Sequence, residues 1–335
     1  MTLQFHSSSP PTSRHTGSEL GGTLLGQAVS ASASASGWPI QAICAPLLGA
    51  EKAAVQETWR LASPCLHGAS EGIAWRRAGD TLFGVIELDE AAFADADRPP
   101  LQAASEAAYD RIFRLLEAQG LPHLWRVWNY MADINAESHG LERYRQFNVG
   151  RQDAFLAHHR SATGNVPAAC AIGLADGPLS IAFLAGLAPA VPFENPRQVA
   201  AYRYPAEYGP RAPTFSRAAL IHPPGQEILF VSGTASIVGH RTVHAGDVAG
   251  QSREALANIE AVVAEANRAA RSRPFALDEL VYRVYVRHAA DFPVIRDTLA
   301  VQLGGADVLY LQADICRADL LLEIEAMASH TLGQD

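Results

Sequence analysis

The chain has 335 residues, 48% of them hydrophobic, a length that can bury one large core or two fused ones. Its formal net charge of −9 repels nucleic-acid phosphates and anionic lipid headgroups, so neither nucleic acid nor membrane is an expected partner. No transmembrane run or signal peptide is recognisable, and the four scattered cysteines include no CxxC pair, so we expect a protein of the reducing cytoplasm.

Residues 1–37 are predicted to form a flexible tail. They are rich in Ser, Ala, Gly and Thr and end in the alternating stretch Ser30–Ser36. Such a segment buries too little apolar surface to offset the entropy lost on ordering. We therefore expect the folded protein to begin at residue 38.

Residues 38–187 are predicted to form an N-terminal half. Apolar periodicity and turn residues such as Gly120 place six elements in the order strand, helix, strand, helix, strand, strand. Their predicted bounds are Leu82–Leu88, Pro100–Gln119, His123–Met131, Leu141–His159, Ala168–Leu174 and Leu179–Leu187.

Residues 188–219 form a central segment rich in Tyr, Arg and Pro. It contains Tyr202-Arg203-Tyr204-Pro205 and, further on, Phe215-Ser216-Arg217. A plain linker would be polar and would lack aromatic rings, so this composition predicts a binding loop.

Residues 220–330 are predicted to form a C-terminal half that repeats the order of elements in the first. The predicted bounds are Glu227–Ser232, Gln251–Arg271, Leu280–Arg287, Asp291–Leu303, Asp307–Asp314 and Leu320–Ala328. This order indicates an α+β fold in which helices cover one face of each mixed sheet. The other face needs a cover, which a neighbouring half or another subunit would provide.

Motifs for metal, nucleotide or covalent-nucleophile chemistry are absent from the sequence. There is no HExxH, Walker loop, GxGxxG before a helix, or GxSxG. The one adjacent histidine pair, His158-His159, would point in two directions on a helix. We therefore expect neither a metal nor another cofactor.

Two groups of residues are candidates for chemistry. Several arginines, in Arg143–Arg151 and in the central segment, lie among tyrosines. This combination favours a small substrate with carboxylates. The alternative is that these arginines form surface ion pairs with Glu137, Glu142 or Glu207. In a buried pocket the strand residue Glu323 would have a raised pKa and act as a general acid, whereas on an exposed strand face it would do nothing.

Two strings of residues carry a resemblance to known families. The C-terminal half, with Val231–Ser236 and Glu323-Ile324-Glu325-Ala326, resembles the YjgF/RidA superfamily. Ile134–Tyr144 and the central segment are similar to the chorismatase family, and this wider resemblance covers roughly residues 38–328.

The resemblance implies two fused RidA/YjgF-like (chorismate-mutase-like) halves and a pocket that takes chorismate without a cofactor. It places the family's catalytic glutamate at Glu323, which would protonate the enolpyruvyl ether and release pyruvate. The expected substrate-binding residues, chosen to suit two carboxylates, are Arg151, Tyr144, Arg203, Tyr204 and Arg217. Trimers occur in the RidA superfamily, so a homo-oligomer is one expected arrangement.

The expected product depends on two small pocket residues. Cys316 is similar to the cysteine of hydroxybenzoate-forming chorismatases, and Ala235 to a residue of hydrolytic ones. This mixture implies a bifunctional enzyme that makes 3-hydroxybenzoate and 4-hydroxybenzoate, which feed aryl pigment and ubiquinone pathways.

Three alternatives remain at the level of sequence. A hydrolytic chorismatase would give a trans-dihydrodiol and pyruvate. A RidA-like imine deaminase is disfavoured because Asp307–Tyr310 lacks the arginine of that family. A non-catalytic RidA-like protein would bind a small ligand and leave it unchanged.

Overall fold

The computed structural model describes residues 2–9, 17–29, 37–49 and 53–333. Its four α-helices within these ranges are α1 (Pro100–Gln119), α2 (Arg143–Ala157), α3 (Val248–Asn267) and α4 (Phe292–Leu303). The strands up to residue 142 are β1 (Leu3–Ser8), β2 (Glu19–Gly26), β3 (Ile40–Cys44), β4 (Leu47–Leu48), β5 (Ala54–Leu61), β6 (Leu66–Ser70), β7 (Ile73–Ala78), β8 (Thr81–Leu88), β9 (His123–Ala132), β10 (Glu137–Ser138) and β11 (Leu141–Glu142). The later strands are β12 (Ala168–Leu174), β13 (Leu179–Gly186), β14 (Val191–Phe193), β15 (Ala218–Ile221), β16 (Gln226–Thr234), β17 (Ile237–Val238), β18 (Arg241–Thr242), β19 (Val281–Val286), β20 (Val308–Gln312) and β21 (Leu322–Thr331).

The two halves each contain a mixed sheet with two helices. The first sheet has the strand order β12-β9-β13-β8-β7-β6, with β12 parallel to β9. The second has the order β14-β15-β16-β21-β19-β20-β4, with β20 parallel to β19. All twelve elements predicted from the sequence are present, and the predicted α+β class is confirmed.

The helices lie on the outer face of each sheet. Apolar residues of α1 and α2, including Ile112 and Phe155, form one core with the first sheet. Those of α3 and α4, including Ile259 and Leu299, form a second core with the other sheet. No helix in the described ranges is long and apolar enough to cross a membrane.

A third sheet, with the order β1-β5-β2-β3, completes the molecule. Its apolar residues, such as Leu25 and Trp59, share one core with Trp128 of the first sheet and with Phe230 and Tyr285 of the second. The helix-free faces of three sheets therefore cover one another within a single chain.

The predicted flexible tail over residues 1–37 is wrong for two segments. Residues 3–8 and 19–26 are strands β1 and β2, while residues 10–16 and 30–36 lie outside the described ranges. The glycines that suggested a tail serve close packing, because a Cβ at Gly21 would lie 2.0 Å from the ring of Phe83 and one at Gly22 would lie 2.0 Å from the carbonyl of Glu57.

The central segment also has more regular structure than a loop. It contains β14, which pairs with β15, and two short 3₁₀-helices at Ala201–Arg203 and Ala206–Tyr208. These helices lie beside a cavity whose lining includes Tyr204, Glu207 and Tyr208.

Candidate active site

A cavity of about 600 Å³ lies where the two halves meet the central segment. The first half contributes residues of α2 and β12, and the second half contributes the end of β16, the loop before β21 and Glu323. Ser232 fixes this junction, because its hydroxyl donates to the carbonyl of Ser216 (2.6 Å) and accepts from the amide of Ala169 (2.9 Å).

Seven of the eight side chains predicted for the site line this cavity. They are Tyr144, Arg151, Tyr204, Arg217, Ala235, Cys316 and Glu323. The prediction is corrected for the eighth residue, Arg203, which is exposed and is not part of the cavity lining. Arg203 is the last residue of the 3₁₀-helix, and its guanidinium lies 5.9 Å from the ring centre of Tyr202.

Glu323 is a buried carboxyl group, only 4% exposed, without an ion pair to any described residue. Burial is the largest cause that raises its pKa, and the nearby charge of Glu325 adds to it, so that the pKa reaches about 8. Arg126, Arg217 and a hydrogen bond from Cys316 oppose this rise without cancelling it. The side chain therefore holds a proton at neutral pH and can donate it to a bound ligand.

Gly233 provides the space for that carboxyl group. It lies at the irregular end of β16, where the register with β21 shifts between Val231 and Thr234. A Cβ at this position would lie 1.8 Å from Oε1 of Glu323 and 3.3 Å from Cβ of Cys170. Any side chain larger than hydrogen would displace the carboxyl group.

Cys316 lies against Glu323 on the cavity wall. Its Sγ is 3.9 Å from Oε2 of Glu323, so the thiol donates a weak hydrogen bond to the carboxyl oxygen. Burial first, and then the negative charge of Glu323, raise the pKa of Cys316 to about 12. The group stays a neutral thiol and is a poor nucleophile.

Arg151 is a cation inside the protein, 2% exposed, and no carboxylate of the described chain forms an ion pair with it. Its Nη2 donates to Oδ1 of Asn148 at 2.8 Å, its guanidinium lies 4.8 Å from the ring centre of Phe147, and its Nε has no partner. A buried cation without a counter-charge at a cavity wall favours an anionic ligand.

Arg217 and Arg317 form a second cationic wall around Tyr204. The guanidinium groups of Arg217 and Arg317 lie 5.6 Å and 5.1 Å from the centre of the Tyr204 ring. Arg217 also donates to the Tyr204 hydroxyl at 2.8 Å. Nε of Arg217 and Nη2 of Arg317 have no hydrogen-bond partner among the described residues. Neither guanidinium has an ion pair within the described ranges, so this wall can accept a second carboxylate.

Tyr144 lies on the same side of α2 as Arg151, two turns earlier. Burial is the largest cause that raises its pKa, and the nearby acidic groups of Cys316 and Glu323 act in the same direction. Its phenol therefore stays neutral and can donate a hydrogen bond to a ligand.

Some of the arginines form ion pairs with nearby carboxylates, which is the alternative to substrate binding that the sequence left open. Arg143 binds Glu90 through two hydrogen bonds of 2.9 and 2.6 Å, and Arg145 binds Glu142 at 3.0 Å. Arg151 and Arg217 have no such carboxylate partner in the part of the chain that the structure describes, in contrast to Arg143 and Arg145.

A fully paired charge network lies beside the cavity, between the sheets. Glu325 forms ion pairs with Arg126 and with Arg283 (2.9 Å), and Arg283 also pairs with Glu57. The hydroxyl of Tyr285 donates to Glu325 at 3.1 Å. These contacts join strands of all three sheets and leave no carboxylate free for chemistry.

Arg317, Tyr208 and Gly233 are among the cavity residues that were not predicted from the sequence. Arg317 directly follows Cys316, Tyr208 lies in the aromatic central segment, and Gly233 lies within the quoted stretch Val231–Ser236. All three were visible in segments already singled out, but which side chains face inward depends on the turns of these irregular segments.

Comparison with known proteins agrees with this geometry. The family model described as "Chorismatase FkbO/Hyg5-like, N-terminal" matches residues 57–185. A chorismatase of Streptomyces rapamycinicus is 42% identical over 281 residues, 82% of each protein, and a 3-hydroxybenzoate synthase of Streptomyces hygroscopicus is 39% identical over 284 residues, 81% of this chain and 80% of that protein. A chorismatase crystal structure superposes with a TM-score of 0.85 at 34% identity, covering 98% of both chains. The protein belongs to the chorismatase family.

Proposed function

We propose that this protein converts chorismate to 3-hydroxybenzoate and pyruvate, with 4-hydroxybenzoate as a second aromatic product. The observation that carries the proposal is the cavity itself, in which a protonated Glu323 shares the lining with Arg151, Arg217 and Arg317, three arginines that form no ion pair with any described residue. A family relative that is 39% identical is named a 3-hydroxybenzoate synthase, which supports the same product.

Chorismate has a ring carboxylate and an enolpyruvyl carboxylate, which suits the two cationic walls. Arg151 with Tyr144 forms one wall, and Arg217 with Tyr204 forms the other. Arg317, which stacks on Tyr204, takes the place that the sequence analysis gave to Arg203. Two-pronged arginine contacts would hold the ligand in one orientation relative to Glu323.

Glu323 is the proposed general acid. It protonates the methylene carbon of the enol ether, which leaves an oxocarbenium-like centre on the side chain. The oxygen of the neighbouring ring hydroxyl bonds to the ring carbon that carries the ether, the bond between that carbon and the ether oxygen breaks, and pyruvate leaves while the hydroxyl proton returns to the Glu323 carboxylate. The oxygen then bridges the two ring carbons. Breaking its bond to the original carbon gives 3-hydroxybenzoate and breaking its bond to the new carbon gives 4-hydroxybenzoate, in each case as the hydrogen on the carbon that keeps the oxygen is transferred as a proton to that oxygen. Hydroxybenzoate and pyruvate together contain all the atoms of chorismate, so no water is consumed. General acid catalysis of this kind typically contributes about 10²–10⁴-fold to a rate.

Cys316 and Ala235 are the proposed determinants of the product. Both line the cavity, and the Cys316 thiol contacts Glu323. The hydrolytic alternative needs a water molecule at the oxocarbenium centre, where it would add to give pyruvate and a dihydrodiol. The bulk and low polarity of a neutral thiol at that wall favour water exclusion and hence the aromatic products.

The test is to incubate purified protein with chorismate and to measure pyruvate and ring products together. Pyruvate with 3-hydroxybenzoate supports the proposal. Pyruvate with only a non-aromatic diol replaces it with the hydrolytic reaction. Saturable chorismate binding without pyruvate would leave a binding protein, and imine hydrolysis without chorismate turnover would leave a deaminase.

We place the reaction in the cytoplasm and treat trimer formation as a separate prediction. The four cysteines are free thiols, which supports a reducing compartment. The proposed catalytic residue and the substrate-binding residues that line the cavity belong to one chain. Light scattering after size-exclusion chromatography would decide the oligomeric state.

A further inference from the structure

The loop between β20 and β21 (residues 313–321) contributes four residues to the cavity lining, among them Cys316 and Arg317. It has little regular structure of its own, so its position depends on contacts from outside. A one-ångström displacement of this loop would move the thiol away from Glu323, which it now contacts at 3.9 Å.

One side chain makes more hydrogen bonds to the loop than any other described side chain outside it. Arg287, at the end of β19, is 9% exposed and donates five hydrogen bonds from its three nitrogens. Its acceptors are the carbonyls of Ile315 (3.1 Å), Arg317 (2.8 Å) and Leu320 (2.7 Å), Oδ1 of Asp314 (2.6 Å) and Oδ1 of Asn135 (3.1 Å). Four of these acceptors belong to the loop, on both sides of Cys316.

The fifth acceptor, Asn135, ties the loop to the first half of the protein. It belongs to the stretch Ile134–Tyr144, whose first part lies outside the cavity lining. Its Nδ2 lies 3.4 Å from Oε1 of Glu142, a cavity residue. Paired backbone hydrogen bonds between Gly173 and Asp314 (2.8 and 2.9 Å) join the same loop to β12.

We propose that Arg287 is a positioning residue that sets the product and the substrate affinity by holding residues 313–321 against the first half. It does not touch the cavity; it acts through the placement of Cys316 and Arg317. A lysine could keep the charge pair with Asp314 but has a single nitrogen, so it cannot reproduce contacts on both sides of Cys316. This inference rests on the proposed function.

The test compares Arg287→Lys with Arg77→Lys as a matched control. Arg77 also clamps backbone carbonyls, those of Gly79 and Gln119, but it lies away from the cavity. For Arg287→Lys, KM for chorismate should rise roughly tenfold, the equivalent of one charged hydrogen bond, and the dihydrodiol share should increase. Amides of residues 313–321 should exchange hydrogen faster. Arg77→Lys should change none of these quantities.

Asn135→Ala provides a milder variant that removes one of the five contacts. It should change KM and products in the same direction by a smaller factor, and it keeps the test decisive if Arg287→Lys does not fold. If the wild type is active and the folded variants have the same KM and product ratio as the wild type, Arg287 has only a structural role. This conclusion holds whatever the melting temperatures of the variants are. A wild type that forms no pyruvate overturns the proposed function and this inference together.

Discussion

Glu323 and Glu325 lie two residues apart on the same face of β21 and are equally buried, at 4% and 5% exposure, yet their surroundings are opposite. Glu325 faces two arginines and a tyrosine hydroxyl, whereas Glu323 faces a cavity and one thiol. The first carboxylate is fully paired and joins the sheets. The second has its pKa raised and carries a proton. The surroundings, and not the residue type or the position on the strand, therefore make Glu325 a structural residue and allow Glu323 to act as an acid.

The largest expected effect comes from Glu323→Gln. The amide keeps the shape of a neutral carboxyl group but has no acidic proton, so kcat should fall by about 10²–10⁴-fold while chorismate still binds. Single-turnover kinetics with calorimetric binding measures both quantities. Full activity in this variant would remove Glu323 from the mechanism.

Arg126→Met tests the other carboxylate. It leaves Glu325 with one ion pair instead of two, and loss of a partner from a buried pair lowers the free energy of unfolding by about 3–5 kcal/mol. Urea titration at pH 7 measures this change. A variant as stable as the wild type would show that the network contributes little to joining the sheets.

Arg151→Met makes the matched change at the cavity. No buried carboxylate loses an ion pair, so the stability loss should be smaller than for Arg126→Met, while the Kd for chorismate should rise roughly 10–100-fold. Parallel urea titrations and calorimetry compare the two variants directly. Equal affinity in wild type and variant would contradict the assignment of Arg151 to substrate binding.

Gly233→Ala sharpens the comparison without touching a charged residue. Its Cβ would displace the Glu323 carboxyl group, and kcat should fall roughly 10–100-fold, as misplacement of a catalytic group by about 1 Å can do. Gly305→Ala is the control, because a Cβ there meets nothing within 4 Å. Similar kcat values for both variants would mean that the space beside Glu323 is not required.

The smallest effect is the pH dependence. Glu323 acts as an acid only while protonated, so kcat/KM should fall about tenfold for each pH unit above its pKa of about 8. Rate profiles between pH 6 and 10 would show the break. A rate that continues to rise above this pH would exclude Glu323 as the acid.

The same raised pKa predicts a stability difference with a definite sign. The unfolded carboxyl ionises near its ordinary pKa of 4.5 and the folded one near 8, so unfolding releases a proton between these values. Wild-type stability should therefore decline relative to Glu323→Gln as pH rises from about 5 to 8. Melting temperatures of the two proteins at both ends of this window provide the check.

Much of this arrangement could be predicted from the sequence. The twelve elements of the two halves have strong periodicity, and seven of eight site residues line one cavity. The third sheet could not be predicted, because Glu19–Gly26 has few β-branched or aromatic residues and contains glycines that are typical of a linker, and their packing against Phe83 and Glu57 is visible only in the fold. Arg203 was predicted to line the cavity and Arg317 lines it instead, for a similar reason. In irregular segments the direction of a side chain depends on the local turns, which hydrophobic periodicity does not predict.

The most direct measurement is an infrared difference spectrum between the wild type and Glu323→Gln at pH 7. The account predicts a carbonyl stretch of a protonated carboxyl group in the wild type that is lost in the variant, together with its disappearance when the wild type is brought to pH 10. A spectrum in which the lost bands are those of an ionised carboxylate at pH 7 would contradict the claim that Glu323 holds the proton for the reaction.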